Sequence, residues 1–175
     1  MPGREGGVMA HEGDDGVVRV LFVCLGNICR SPMAEGVLAK MVADQGMSDR
    51  VVVDSAGTGH WHIGKRPDPR AIAAAAKHGV ELPSRARQID PAKDYGSPED
   101  GGWDYIIALD EDHVRHIKRQ GGPMERVKLL RSFDPKANGS LEVADPYYGD
   151  DAGFDRCYEE VEAGCEGLMG TIVDD

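Results

Sequence analysis

Several things are missing from this chain, and each absence narrows what it can be. No apolar run approaches the roughly 20 residues that a helix needs to cross a bilayer, so no helical membrane span is expected. The four cysteines (Cys24, Cys29, Cys157, Cys165) include no C-x-x-C pair, which removes the usual spacing of a structural zinc site. They also come without a secretory leader, which argues against a disulfide framework. Internal repeats and domain linkers are lacking, and 175 residues suit one compact domain. Positive charge is scarce as well. A formal net charge of −11 repels nucleic acid and acidic membrane surfaces, so neither is an expected partner. Met1 to Gly16 is polar and glycine-rich, unlike a signal or transit peptide, and is expected to be a flexible tail ahead of a single domain at 17–175. These features together predict a soluble, cytoplasmic monomer.

What is present alternates between strands and helices. Val17 to Cys24 (VVRVLFVC) is a short β-branched run of the kind buried on both faces. Ser31-Pro32 opens a helix that Gly46 ends, with Met33, Val37 and Met41 in one row and Ala34, Leu38 and Val42 in the next. Val51 to Asp54 is a second strand, and Asp68-Pro69 starts a helix through Lys77. Trp103 to Leu109 is the third strand, Asp110 caps a helix from Glu111 to about Gln120, and Val127 to Leu130 is the fourth strand. Turns follow at Asp134-Pro135 and Asn138-Gly139. A last helix runs from about Gly153 to Ile172, with Cys157, Val161, Cys165 and Leu168 on its apolar stripe. This order predicts an α/β fold, a parallel sheet with helices on both faces. Such sheets bind ligands at the carboxyl ends of their strands. The first strand ends at Cys24.

Cys24-Leu25-Gly26-Asn27-Ile28-Cys29-Arg30-Ser31 joins that strand to its helix. A short loop curling into a helix N-terminus directs successive backbone N–H groups into one concavity, a nest for an anion. Gly26 and Asn27 are residue types that tolerate the left-handed backbone such a curl demands. The nest and the helix dipole stabilise a thiolate at Cys24. Arg30 closes the ring with a planar fork that matches two phosphate oxygens. Phosphoryl transfer spreads charge over three equatorial oxygens, so this donor ring needs neither metal nor cofactor. The Ser31 hydroxyl is placed to donate to the Cys24 sulfur. Overall negative charge does not forbid an anionic substrate, because distant surface charges are screened while the nest acts at contact.

VCLGNICRSPMAEGV and, much later, ADPYYGDDAGF resemble the signature segments of the low-molecular-weight protein tyrosine phosphatases. The similarity continues through DSAGTGHW, RPDPRA, RARQI and WDYIIALD, and covers nearly everything beyond the N-terminal tail. The resemblance implies a four-stranded parallel sheet, hydrolysis of phosphotyrosine and small aryl phosphates through a phosphocysteine on Cys24, and acid phosphatase activity. It assigns Asp145 as the general acid that protonates the leaving phenolate, a role consistent with the poor leaving ability of an unprotonated tyrosyl group. It makes Asn27 and Ser55 supports of the phosphate loop, and Leu25, Trp61 and Tyr147 the walls of the substrate slot. Cys29 becomes a partner for Cys24 in reversible oxidation. Two departures stand out. Ser84 occupies a place where some members carry histidine, with Arg87 retained, and Gly96 to Gly102 is longer than usual and is expected to reshape the pocket rim.

Weaker signals have simpler explanations. His60 and His62 lack carboxylate or cysteine neighbours at ligand spacing and read as a solvated loop. Asp110 to Asp112 suit the first turn of a helix dipole. Cys157 and Cys165 read as buried thiols. Tyr147 and Tyr148 are exposed-loop candidates for phosphorylation. Two rival functions remain: an arsenate reductase on the same fold, which needs further thiols within reach of the first, and a silent phosphotyrosine-binding module, which normally lacks nucleophile, arginine or acid.

Overall fold

The computed structural model describes residues 16–174. The expected flexible tail therefore lies outside the described residues, apart from Gly16. Four strands form one sheet: β1 (Val18–Cys24), β2 (Val51–Gly57), β3 (Tyr105–Ala108) and β4 (Val127–Leu129). They are all parallel, in the order β2-β1-β3-β4. Five helices accompany them: α1 (Arg30–Asp44), α2 (Pro69–Ala76), α3 (Pro91–Asp94), α4 (Glu111–Arg119) and α5 (Asp151–Asp174).

Strand β1 lies between β2 and β3, so the chain reverses its direction of travel across the sheet beside the carboxyl end of β1. That is the switch point at which open α/β sheets bind ligands. The side chains of β1 alternate. Val18, Val20, Phe22 and Cys24 join a core with α1, α2 and α5, while Leu21 and Val23 join a second core with Ile106, Trp103 and Ile117. Both faces are buried, which accounts for the uninterrupted apolar run.

Several boundaries differ from the sequence reading. β2 continues three residues past Asp54, pairing Ser55, Ala56 and Gly57 with Phe22, Val23 and Cys24. A Cβ at Gly57 would lie 2.7 Å from the Leu25 carbonyl oxygen, so only glycine lets β2 run beside the start of the loop. β3 begins two residues later than expected. The Trp103 indole donates to Asp94, and the Asp104 side chain accepts from the Arg19 amide. The helix α3 was not anticipated; Asp90 caps its single turn and Pro91 starts it. α5 begins at Asp151, two residues early. The segment Gly96 to Gly102 does not border the pocket. It precedes β3 and therefore sits at the amino-terminal edge of the sheet, where Arg126 donates to the Gly96 carbonyl.

Candidate active site

The loop after β1 is held in shape from beneath. Asn27 adopts φ = 57°, the sole left-handed backbone among the described non-glycine residues. Gly26 does not share it. Its role is space, since a Cβ there would lie 2.9 Å from the His62 ring. The Asn27 amide nitrogen donates to Ser31 Oγ at 2.8 Å and to Ser55 Oγ at 2.9 Å, and its oxygen accepts from the Arg87 amide at 2.9 Å. Both hydrogens of that amide are spent, so both hydroxyls act as acceptors there and keep one hydrogen each. Ser55 gives its hydrogen to Glu35 at 2.5 Å. Ser31 is left facing Cys24 Sγ at 2.9 Å.

Ser84, at the departure noted in the sequence, faces the same Glu35 carboxyl and acts against the effect of burial on it. Burial pushes the Glu35 carboxyl up. Arg87 extends the network to Asp54 and, by two bonds of 3.0 and 3.2 Å, to the fully buried Asp94. Burial alone would raise the Asp94 carboxyl, but Arg87, the Asp90 amide and the Trp103 indole hold it below its ordinary range. Among the described residues the amides of Gly26, Asn27, Ile28 and Cys29 meet no protein acceptor. They remain available to an oxyanion.

Arg30 is buried, and its guanidinium is fixed from the far side. Nη1 donates to Asp110 Oδ2 at 2.7 Å and to the Val143 carbonyl at 2.9 Å. Nη2 lies 3.7 Å from Asp145 Oδ2. Burial alone would push the Asp110 carboxyl up; His113 and Arg30 outweigh it and hold the group below the usual carboxylate range.

Asp145 sits in a turn where its Oδ1 accepts from the Tyr147 amide at 3.0 Å. Arg70 ties this turn to α2, donating to the Tyr147 carbonyl at 2.9 Å and to the Gly149 carbonyl at 3.3 Å. Asp68 in turn pairs with Arg70 and donates its own amide to the Ile28 carbonyl. The Asp145 turn and the loop after β1 are thus linked through α2.

Cys24, Arg30 and Asp145 line one cavity of about 380 Å³, with Leu25, Trp61 and Tyr147 among its walls. Trp61 is 62% exposed, stacked on His60 and pressed against Gly59, which has no room for a side chain. His62 and Tyr148 also line the cavity, which sequence reasoning missed. Cys29 lines it too, and burial and Asp68 push its thiol up. Ser55 stands behind the loop. Glu35, Asp110, His113, Arg70 and the Val143 carbonyl were also missed. Asp110 was legible as the cap of α4, but nothing in the sequence joined it or His113 to Arg30.

Cys157 and Cys165 are buried free thiols on α5; burial pushes Cys157 up to about 12 and Cys165 up as well. Among the described residues no group of three or more His, Cys, Asp or Glu is placed to hold a metal, and no helix is long and apolar enough to cross a membrane.

The low molecular weight phosphotyrosine protein phosphatase family matches residues 19–175. The chain is 47% identical to a low molecular weight protein-tyrosine-phosphatase of Streptomyces coelicolor, over 88% of this chain and 93% of that one. It is 40% identical to the low molecular weight phosphotyrosine protein phosphatase of Sus scrofa, over 87% and 94% of the two chains. Among solved structures, a protein tyrosine phosphatase from Entamoeba histolytica with Hepes in the active site superposes with a TM-score of 0.81. That match has 31% identity and covers 89% of this chain and 97% of that one.

Proposed function

The chain belongs to the low molecular weight phosphotyrosine protein phosphatase family, and from that membership and the geometry of the cavity we propose how it hydrolyses phosphotyrosine. The observation that carries the reading is the convergence of Cys24, Arg30 and Asp145 on one aromatic-walled cavity.

A phosphotyrosyl ring enters between Leu25, Trp61 and Tyr147, and its phosphate settles on the loop amides and the Arg30 fork. Cys24 Sγ attacks phosphorus in line, and the bond to the phenolic oxygen breaks as Asp145 gives that oxygen a proton. The phosphocysteine is then attacked by water, whose proton returns to Asp145, and the P–S bond breaks with the electron pair on sulfur. The Ser31 hydroxyl stabilises that sulfur in both halves of the cycle. Loop amides and Arg30 stabilise the equatorial oxygens throughout.

Turnover of p-nitrophenyl phosphate and of a phosphotyrosine peptide by the purified chain, without metal or thiol couple, tests this reading; no turnover of either would end it. Acid phosphatase activity on small aryl phosphates is part of the same proposal, because the walls Leu25, Trp61 and Tyr147 are suited to hold the ring alone. An arsenate reductase would need thiols able to reach Cys24 in sequence, and Cys157 and Cys165 sit buried in the helix α5.

The domain is proposed to span 17–175 with a tail before it, and to act as a monomer in the cytoplasm, where four free thiols stay reduced. Reversible oxidation is proposed as well. Peroxide converts the Cys24 thiolate to a sulfenic acid, and the Cys29 thiol displaces its oxygen as water to form a disulfide. The raised Cys29 thiol slows the second step. Recovery by reductant in the wild type, and poor recovery in Cys29→Ser, is the expected pattern.

A further inference from the structure

A guanidinium carries five N–H groups, and the fold decides which of Arg30's remain for a substrate. Nη1 spends both of its hydrogens on Asp110 and Val143. Nη2 faces His113 Nε2 at 3.4 Å. His113 is itself 3% exposed, and its other ring nitrogen lies 3.3 Å from Asp110 Oδ1 and 3.2 Å from the Asp110 amide.

A neutral imidazole has one N–H, so these contacts compete. With the hydrogen on Nε2, the ring accepts from the Asp110 amide and completes a capping box. That tautomer sets N–H against N–H at Arg30, and a lone pair against the Asp110 carboxylate. With the hydrogen on Nδ1, the ring donates to the carboxylate and accepts from Arg30. That form gives up the bond from the Asp110 amide, whose N–H then faces Nδ1–H at 3.2 Å. It takes the lone pair away from the carboxylate 3.3 Å off, however, and offers one to the charged guanidinium. The two charged contacts outweigh one neutral bond.

We propose that His113 is a positioning residue for Arg30: as the Nδ1–H tautomer it closes a ring from Asp110 through His113 to Arg30. Three of Arg30's five donors are then committed to the protein. The Nε–H and one Nη2–H remain, two parallel donors on one edge, the fork that a phosphate accepts. The charged groups facing the imidazole are Arg30 on α1, Asp110 and Asp112 at the start of α4, and Asp145 on its turn. Burial first, and Arg30 second, push the imidazolium down to about 4, so the ring is neutral throughout the neutral range.

This inference rests on Arg30 as the phosphate clamp, and its tests separate the two. Nitrogen-15 NMR of the full chain labelled at histidine reads the tautomer directly. At pH 7, a neutral His113 with Nδ1 protonated is expected; an Nε2–H tautomer or a charged ring overturns the proposal. His113→Gln retains an N3 side chain able to cap α4 but supplies no imidazole acceptor to Arg30. Its inhibition constant for inorganic phosphate should rise roughly 3- to 10-fold, the weight of one hydrogen bond. Turnover should fall by a similar factor for good and poor leaving groups alike, since Asp145 is untouched. Unchanged phosphate inhibition in a folded His113→Gln protein, or losses that merely track a lower melting temperature, would reduce His113 to a cap and overturn the role. A wild-type protein that phosphate does not inhibit would instead remove the clamp reading, and with it the purpose given to the ring.

Discussion

Around Cys24 the polar side chains are buried and held by one another, whereas around Asp145 the acid is exposed and its turn is tied down through backbone carbonyls. Asn27, Ser31 and Ser55 are each no more than 2% exposed and share three mutual hydrogen bonds with Cys24 and each other. The Asp145 side chain is 39% exposed, and the neighbouring Tyr148 is 93% exposed. The difference matches what each region must do. The anion ring works by preorganisation, so its geometry is fixed before substrate arrives. In the proposed mechanism Asp145 has to meet a leaving group carried by different substrates, and an exposed turn allows adjustment.

Substitutions should separate the two regions. Cys24→Ser should have the largest effect, dropping turnover to the uncatalysed background while the loop keeps its affinity for phosphate. Activity assays paired with phosphate-dependent thermal shifts check this, and near-normal turnover would remove Cys24 from the mechanism. On the other side, Asp145→Ala should cost roughly 10²–10⁴-fold on alkyl-substituted phenyl phosphates, the usual size of general acid catalysis. The loss should shrink on p-nitrophenyl phosphate, whose leaving group needs less protonation. Equal losses on both substrates would mean that Asp145 is not the acid.

The supports of the two regions should differ in kind. Arg70→Ala loosens the acid turn and should cut turnover roughly tenfold by misplacing a catalytic group, with little change in melting temperature. Asp94→Ala strips Arg87 of its buried partner. It should cost about 3 kcal/mol, the low end for a broken buried pair because Arg87 is 30% exposed. That corresponds to a fall in melting temperature of about 6–12 °C for a chain of this size. If the two variants exchanged these phenotypes, the contrast between a preorganised ring and an adjustable turn would fail.

The last expected effect is on pH dependence. His113 is depressed from 6.5 to about 4 in the fold, so the unfolded chain binds the extra proton first as pH drops. Its contribution to stability is fully present above the unfolded value and is lost as pH falls from about 6.5 through about 4. Asp94, depressed below 3.8, adds to the loss only in stronger acid. Melting curves across this range should slope less in His113→Gln than in the wild type. Identical slopes would mean that the ring titrates normally.

Much of the fold was legible because its signals are local. The run VVRVLFVC, the Ser31-Pro32 helix start and the Asp110 cap each act within a few residues. Strand ends were less legible, since β2 extends to Gly57 only because Cys24 lies beside it and β3 starts late because Asp94 and Asp104 engage distant partners. The same division runs through the site. Cys24, Arg30 and Ser31 share one short segment, so their chemistry shows in their spacing. The supports Glu35, Asp94, Asp110 and His113 are scattered over α1, α3 and the start of α4, and no spacing relates them to the loop. Gly96 to Gly102 misled for the same reason: segment length is visible in a sequence, but the edge of the sheet it occupies is not.

By itself, then, the sequence determined a parallel α/β sheet, a loop able to nest an oxyanion against a thiol, and the residues proposed to touch phosphate. Family resemblance added Asp145. Only the tertiary structure decided how the arginine is aimed. Nη1 spends its N–H groups on Asp110 and Val143 and Nη2 lies against His113, and those partners lie 80, 113 and 83 residues from Arg30. A hydrogen bond depends on distance and direction in space, and the chain fixes neither until the sheet brings the carboxyl ends of β1 and β3 side by side.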